Sequence, residues 1–183
     1  MSMPEVAPDL AEAGAVVETL GVMSERLDGI AMRLGELLLA RGWLLATAES
    51  CTGGWIAKVV TDIPGSSAWF DRGFVTYSNA AKQQTLGVRQ ETLEVHGAVS
   101  ERTVLELAAG AIERSRAQVA VAVSGIAGPA GGGPDRPVGT VCFAWALPGS
   151  QIQTRRLQFA GNREEVRHQA VRVALEVLLE RLA

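Results

Sequence analysis

The run Gln118-Val119-Ala120-Val121-Ala122-Val123 restricts the fold more than any other stretch, because after its first residue it is wholly apolar over the length of a strand. A strand with one wet face alternates apolar and polar residues, whereas a strand without alternation is covered on both faces, as at the centre of an α/β sheet. The rest of the chain supplies partners for such a strand. Trp43 to Ala48 is a second short apolar run, and Arg72 to Tyr77 is rich in β-branched and aromatic residues. Thr140 to Leu147 and Ile152 to Phe159 alternate as a hairpin joined through Pro148-Gly149-Ser150.

Helical spacing fills the intervals. Leu27, Ile30, Leu34, Leu37 and Leu38 mark an amphipathic helix from Ser24, a plausible N-cap, to Ala40, with Gly42 as its stop. A second helix follows Trp55 and ends near Ile63-Pro64-Gly65. Ser78 and Asn79 cap a short helix from Ala80 to Leu86, Gln90 to Val95 forms another, and Ser100 opens a longer one reaching about Arg116. Asn162-Arg163-Glu164-Glu165 has the spacing of a capping box and starts the last helix. This order predicts a single three-layer α/β/α domain over residues 24–183, with a mixed, mostly parallel sheet of about five strands. Residues 1–23, rich in Ala, Glu and Pro, are assigned to an extension with weak helical periodicity.

Composition narrows the class of partner. The chain of 183 residues is 48% apolar, enough for one core. Its net charge is -3, with 17 basic and 20 acidic residues dispersed, so no basic block suits nucleic acid and no polybasic patch suits a membrane surface. The first ten residues lack the charged and apolar regions of a secretion signal, and no apolar run is of membrane-spanning length, which predicts a soluble, cytoplasmic protein. Cys51 and Cys142 are too few for a disulfide framework or a zinc site, and neither a metal nor a cofactor is expected.

Chemistry converges on Ala48-Glu49-Ser50-Cys51-Thr52-Gly53-Gly54, where the strand from Trp43 turns into a helix. Such a corner places Ser50 at the carboxyl end of the sheet, where α/β proteins bind ligands. The amides of Thr52, Gly53 and Gly54 would be unpaired there and could receive negative charge. If the first three strands are parallel, Tyr77 with Lys82 at a second corner, and Ser124 at a third, gather at the same edge. A serine becomes a nucleophile when a neighbouring base takes its proton, and a lysine kept neutral by burial can be that base. Of the 17 basic residues only Lys58 and Lys82 are lysine, and Lys58 should project away from the corner.

Each of these residues has a plainer reading. Ser50 is also a good N-cap, Cys51 fits small apolar packing as well as nucleophilic attack, and His96 and His168 fit structural or solvated roles. Ser124 is followed by a loop from Gly125 to Gly139 with six glycines and three prolines, a length that is usually functional or mobile. Arg163 stands in the first turn of a helix, where a cation opposes the macrodipole. It is either salt-bridged at the surface or part of a phosphate clamp with the glycine loop, including Gly125 and Gly128. No Gly-Lys-Ser/Thr follows the loop, which argues against a nucleoside-triphosphate site.

Five ordered segments carry a more specific signal: TAESCTGG at Thr47 to Gly54, PGSSAWFDRGFVTYSNAAK at Pro64 to Lys82, HGAVS at His96 to Ser100, SGIAGPAGG at Ser124 to Gly132 and PVGTV at Pro137 to Val141. With them the chain resembles the CinA C-terminal-domain family over about Leu27 to Leu182. The resemblance implies an α/β/α domain, commonly dimeric, whose stand-alone members hydrolyse nicotinamide mononucleotide to nicotinate mononucleotide and ammonia without a metal. It implies Ser50 as nucleophile, Lys82 as base, Tyr77 and Ser124 as supporting groups, and Arg163 as the arginine before the last helix. The homodimer and the pyridine mononucleotide substrate are thus expectations from the resemblance. Two rival readings remain: a non-catalytic pyridine-nucleotide-binding regulatory module, and a phosphoryl transferase using the glycine loop.

Overall fold

The computed structural model describes residues 26–183. The assigned N-cap Ser24 and the extension 1–23 lie outside the described residues. Six helices and five strands follow in order: α1 (Leu27–Arg41), β1 (Leu45–Glu49), α2 (Trp55–Thr61), a 3-10 turn (Ser66–Ala68), β2 (Phe70–Val75), α3 (Asn79–Leu86), α4 (Gln90–His96), α5 (Glu101–Glu113), β3 (Val119–Gly125), β4 (Thr140–Ala146), β5 (Gln153–Gln158) and α6 (Arg163–Leu182).

One sheet has the order β2-β1-β3-β4-β5. β1 pairs parallel with both β2 and β3, while β4 runs antiparallel between β3 and β5, so four of the strands point the same way. The doubly covered strand expected from Val119 to Val123 is the centre of this sheet. Val119, Val121 and Val123 face a core that contains side chains of α1, α2 and α6, whereas Ala120 and Ala122 face a second core formed with α5. The alternation of valine and alanine thus sets two layer depths, with helix α5 seated closely over the small side chains.

Caps explain most element ends. Gly42 adopts the left-handed conformation that stops α1, Ser78 and Ser100 accept from Ala81 and Thr103 amides at the starts of α3 and α5, and Asn162 with Glu165 completes the capping box of α6. Several boundaries differ from the sequence reading by a residue or more, three of them with an evident consequence or cause. Helix α1 begins at Leu27 with Arg26 in an extended conformation. Helix α5 ends at Glu113, short of Arg116, because the Arg116 amide and guanidinium both turn to the Asp71 carboxylate. Strand β2 ends at Val75, which releases Tyr77 into the connection to α3.

One close approach positions the site. A Cβ placed on Gly110 of α5 would lie 2.0 Å from the Leu86 carbonyl oxygen at the end of α3. The two helices therefore meet backbone to backbone, and α3 is the helix that carries Lys82.

Candidate active site

Ser50 begins where β1 ends, and its amide still donates to the Val123 carbonyl at 3.0 Å, so the residue prolongs the β1–β3 ladder. Its side chain is then presented at the carboxyl edge of the three parallel strands. Lys82 comes to the same point from α3: its Nζ lies 3.0 Å from Ser50 Oγ and donates to the Thr76 carbonyl at 2.7 Å. Lys82 is 1% exposed, and among the described residues no carboxylate pairs with it. Burial, which penalises the ammonium, pulls its pKa below the ordinary value of 10.5. A neutral amine that donates one hydrogen to Thr76 can direct its lone pair at the Ser50 hydroxyl, the geometry of a general base. Cys51, next to the serine, is buried, and burial pushes its thiol up to about 12, so it remains protonated and inert near neutral pH.

Glu49 went unnoticed in the sequence and holds the turn together. Its carboxylate is fully buried and accepts from the amides of Gly54, Ile56 and Ala57 at 3.0, 3.0 and 2.9 Å, and from the Thr47 hydroxyl at 3.3 Å. The protein's own anion thus occupies the start of α2. This corrects the expectation of three unpaired amides: Gly54 donates to Glu49, and Gly53 donates to the Ser50 carbonyl at 3.0 Å. Among the described residues, only the Thr52 amide of the three is without an acceptor, and the Thr52 side chain is itself fully buried. A carboxylate directly before a strand-to-helix corner was the signal available in the sequence.

The remaining candidates divide between interior and rim. Ser124 is buried, but its hydroxyl donates to the Ala98 carbonyl at 2.8 Å, which fixes the loop before α5; no bond joins it to Lys82. Tyr77 is 61% exposed, and its hydroxyl accepts from Arg163 Nη2 at 2.7 Å. Arg163 Nη1 donates to the Gly128 carbonyl at 2.8 Å, so the first residue of α6 links the second corner to the glycine loop. The salt-bridged alternative for Arg163 is absent among the described residues. Gly125 allows close approach: a Cβ there would lie 2.7 Å from Val141 Cγ2 and 3.1 Å from Cys51 Sγ.

The residues set aside lie away from the Ser50–Lys82 pair. Lys58 is exposed and pairs with Asp62, His96 is exposed at the end of α4, and His168 stands edge-on to Trp55 at 5.8 Å. Among the described residues no helix is long and apolar enough to cross a membrane, and no group of His, Cys, Asp or Glu could hold a metal ion.

Comparison with known proteins agrees with this architecture. The chain is 60% identical over 146 residues to a nicotinamide-nucleotide amidohydrolase PncC of Escherichia coli (strain K12), covering 80% of this chain and 88% of the relative. A protein of the same name from Pseudomonas putida is 52% identical over 82% of this chain and 94% of its own length. Among solved structures, a competence/damage inducible protein CihA from Agrobacterium tumefaciens superposes with a TM-score of 0.83 at 46% identity, covering 86% of this chain and 96% of that one. The sequence model described as CinA C-terminal domain matches residues 27–182, from the first described helix to the end of the last, and the chain belongs to that family.

Proposed function

We propose that the protein is a nicotinamide-nucleotide amidohydrolase that converts nicotinamide mononucleotide to nicotinate mononucleotide and ammonia, with Ser50 as nucleophile and Lys82 as its base. The observation that carries the reading is the buried Lys82 amine, 3.0 Å from Ser50 Oγ and anchored by the Thr76 carbonyl. The names of relatives up to 60% identical supply the substrate class.

Ser50 Oγ attacks the carboxamide carbon as its proton passes to Lys82 Nζ. The Thr52 amide supports the oxyanion. Collapse of the tetrahedral intermediate breaks the carbon–nitrogen bond, and Lys82 returns the proton to the leaving ammonia, leaving a nicotinoyl ester on Ser50. Water then attacks the ester with Lys82 again as base, and the proton returns to Ser50 as the carboxylate is released. Tyr77 and Arg163 form the rim over the ribosyl part, with Arg163 supplying charge for the phosphate. Gly53, Gly54, Gly125 and Gly128 keep the walls free of side chains, and Ser124 holds the neighbouring loop in place. The chain acts in the cytoplasm as a homodimer in this reading. Purified protein incubated with nicotinamide mononucleotide and a chelator should release ammonia; tight binding without ammonia would favour a non-catalytic regulatory module instead.

A further inference from the structure

Between α1, α2 and α6 runs a groove of about 570 Å³ whose apolar wall is Leu27, Met32, Trp55, Val59 and Ile63. Met32 is 52% exposed there. Trp55 divides this groove from the Ser50 turn. On the groove side His168 stands edge-on to its ring. On the side of the turn Arg167 donates to the carbonyls of Cys51 and Thr52 at 3.0 and 2.8 Å, with its guanidinium 5.2 Å from the ring centre. Arg26, the first described residue, lines the groove, so residues 1–25 join the domain at this surface.

The sequence of that segment complements the groove. Val6, Leu10, Ala13, Val17 and Leu20 recur at alternating intervals of four and three, the spacing of one helical face. Asp9, with Glu12 three residues later, has the form of a helix start, and Gly21 that of a stop. A helix of that length is marginal alone in water and needs an apolar surface to lie on. The segment also carries Glu5, Asp9, Glu12, Glu18 and Glu25 and neither Lys nor Arg, whereas Arg26, Lys58 and Arg172 line the groove against the carboxylates of Asp28 and Asp62. The surface pairs Arg26–Asp28, Lys58–Asp62 and Arg172–Glu176 are weak and leave N–H donors for further carboxylates. Gly21 to Glu25 spans up to about 17 Å when extended, enough to turn a helix back over the groove. We propose that residues 9–20 fold back on their own chain as a short amphipathic helix, with the apolar stripe seated in the groove between α1, α2 and α6.

Oxidation of Met32 by dilute hydrogen peroxide, mapped by mass spectrometry on the full chain, reads the cover directly, because a thioether reacts when peroxide reaches it. The double variant Leu10→Asp with Val17→Asp, which puts charge on the stripe, should oxidise at Met32 about tenfold faster than the parent. Ala15→Asp with Thr19→Asp, on the opposite helical face, should oxidise at the parent's rate. Hydrogen exchange should find the amides of residues 10–20 protected in the parent and in this control, and unprotected in the stripe variant. Met32→Glu, an exposed change made on the groove side, should lower that protection by about tenfold. Equal Met32 oxidation in all these proteins, residues 10–20 exchanging in the parent as an unstructured peptide would, or protection unchanged in Met32→Glu would overturn the seat. Protection that vanishes on dilution would place the segment in the groove of a second copy and overturn the fold-back. No arm of the test uses the nucleotide, so its outcome is independent of the amidohydrolase reading.

Discussion

Lys82 Nζ meets Ser50 Oγ at 3.0 Å across 32 residues of sequence, and the main-chain oxygen of Thr76 anchors the amine from its other side. Removing either side chain should stop the chemistry for different reasons. Ser50→Ala should abolish ammonia release with the denaturation midpoint unchanged. Lys82→Arg should lower kcat by about a hundredfold or more, since a guanidinium does not give up its proton near neutral pH and its planar fork does not fit the amine's place. Turnover by Lys82→Arg at the unmodified rate would remove Lys82 from the role of base.

The pH dependence follows from the same burial. Only the neutral amine accepts the Ser50 proton, and burial places its titration below 10.5, so kcat/KM should rise with pH along an acidic limb that belongs to Lys82. Stability has a matching sign. With the folded pKa depressed, the unfolded chain binds more protons between the folded and unfolded values, so this group's contribution grows with pH across that window and is lost as pH falls through the folded pKa. Lys82→Met should therefore be more stable than the parent by ~1 kcal/mol below that window, with the advantage shrinking as pH rises. Urea midpoints measured at a series of pH values check both the sign and the window.

Glu49 was hidden from sequence reading because its role lies in contacts with Gly54, Ile56 and Ala57, which exist only once the chain has turned back over it. Glu49→Ala would leave three interior amides without acceptors and should cost ~2–4 kcal/mol, seen as a lower urea midpoint. Glu49→Gln should recover part of that loss, as its single amide oxygen can accept from some but not all of the donors.

Gly110→Ala tests whether the seat of α3 controls the base. The added methyl would strike the Leu86 carbonyl at 2.0 Å, so α3 must shift away from α5. A destabilisation of ~1–3 kcal/mol is expected, together with a fall in kcat larger than any change in KM, because Lys82 moves with its helix. An active, fully stable Gly110→Ala protein would show that the two helices yield without disturbing the amine.

Local periodicity made much of this legible. The apolar run at Val119 to Val123 placed the central strand, and the corners after β1 and β2 brought Ser50 and Lys82 to one edge because the first three strands are parallel, as expected. What escaped depends on tertiary partners. Arg167 reaches residues 116 and 115 positions earlier, and the Ser124 hydroxyl is engaged by the Ala98 carbonyl, neither of which has a sequence signature. The amides expected to await a ligand are largely satisfied by Glu49 and by the Ser50 carbonyl, since a buried donor is costly to leave unmet.

The Thr76 anchor has a practical consequence for any survey of this protein by mutation. An oxygen belonging to the main chain survives every exchange of the residue that bears it, so any loss found by scanning position 76, where the side chain is fully buried, would report packing and leave the anchor itself untested. Only chemistry on the peptide link itself, such as an oxygen-to-sulfur exchange at that carbonyl, would expose the dependence.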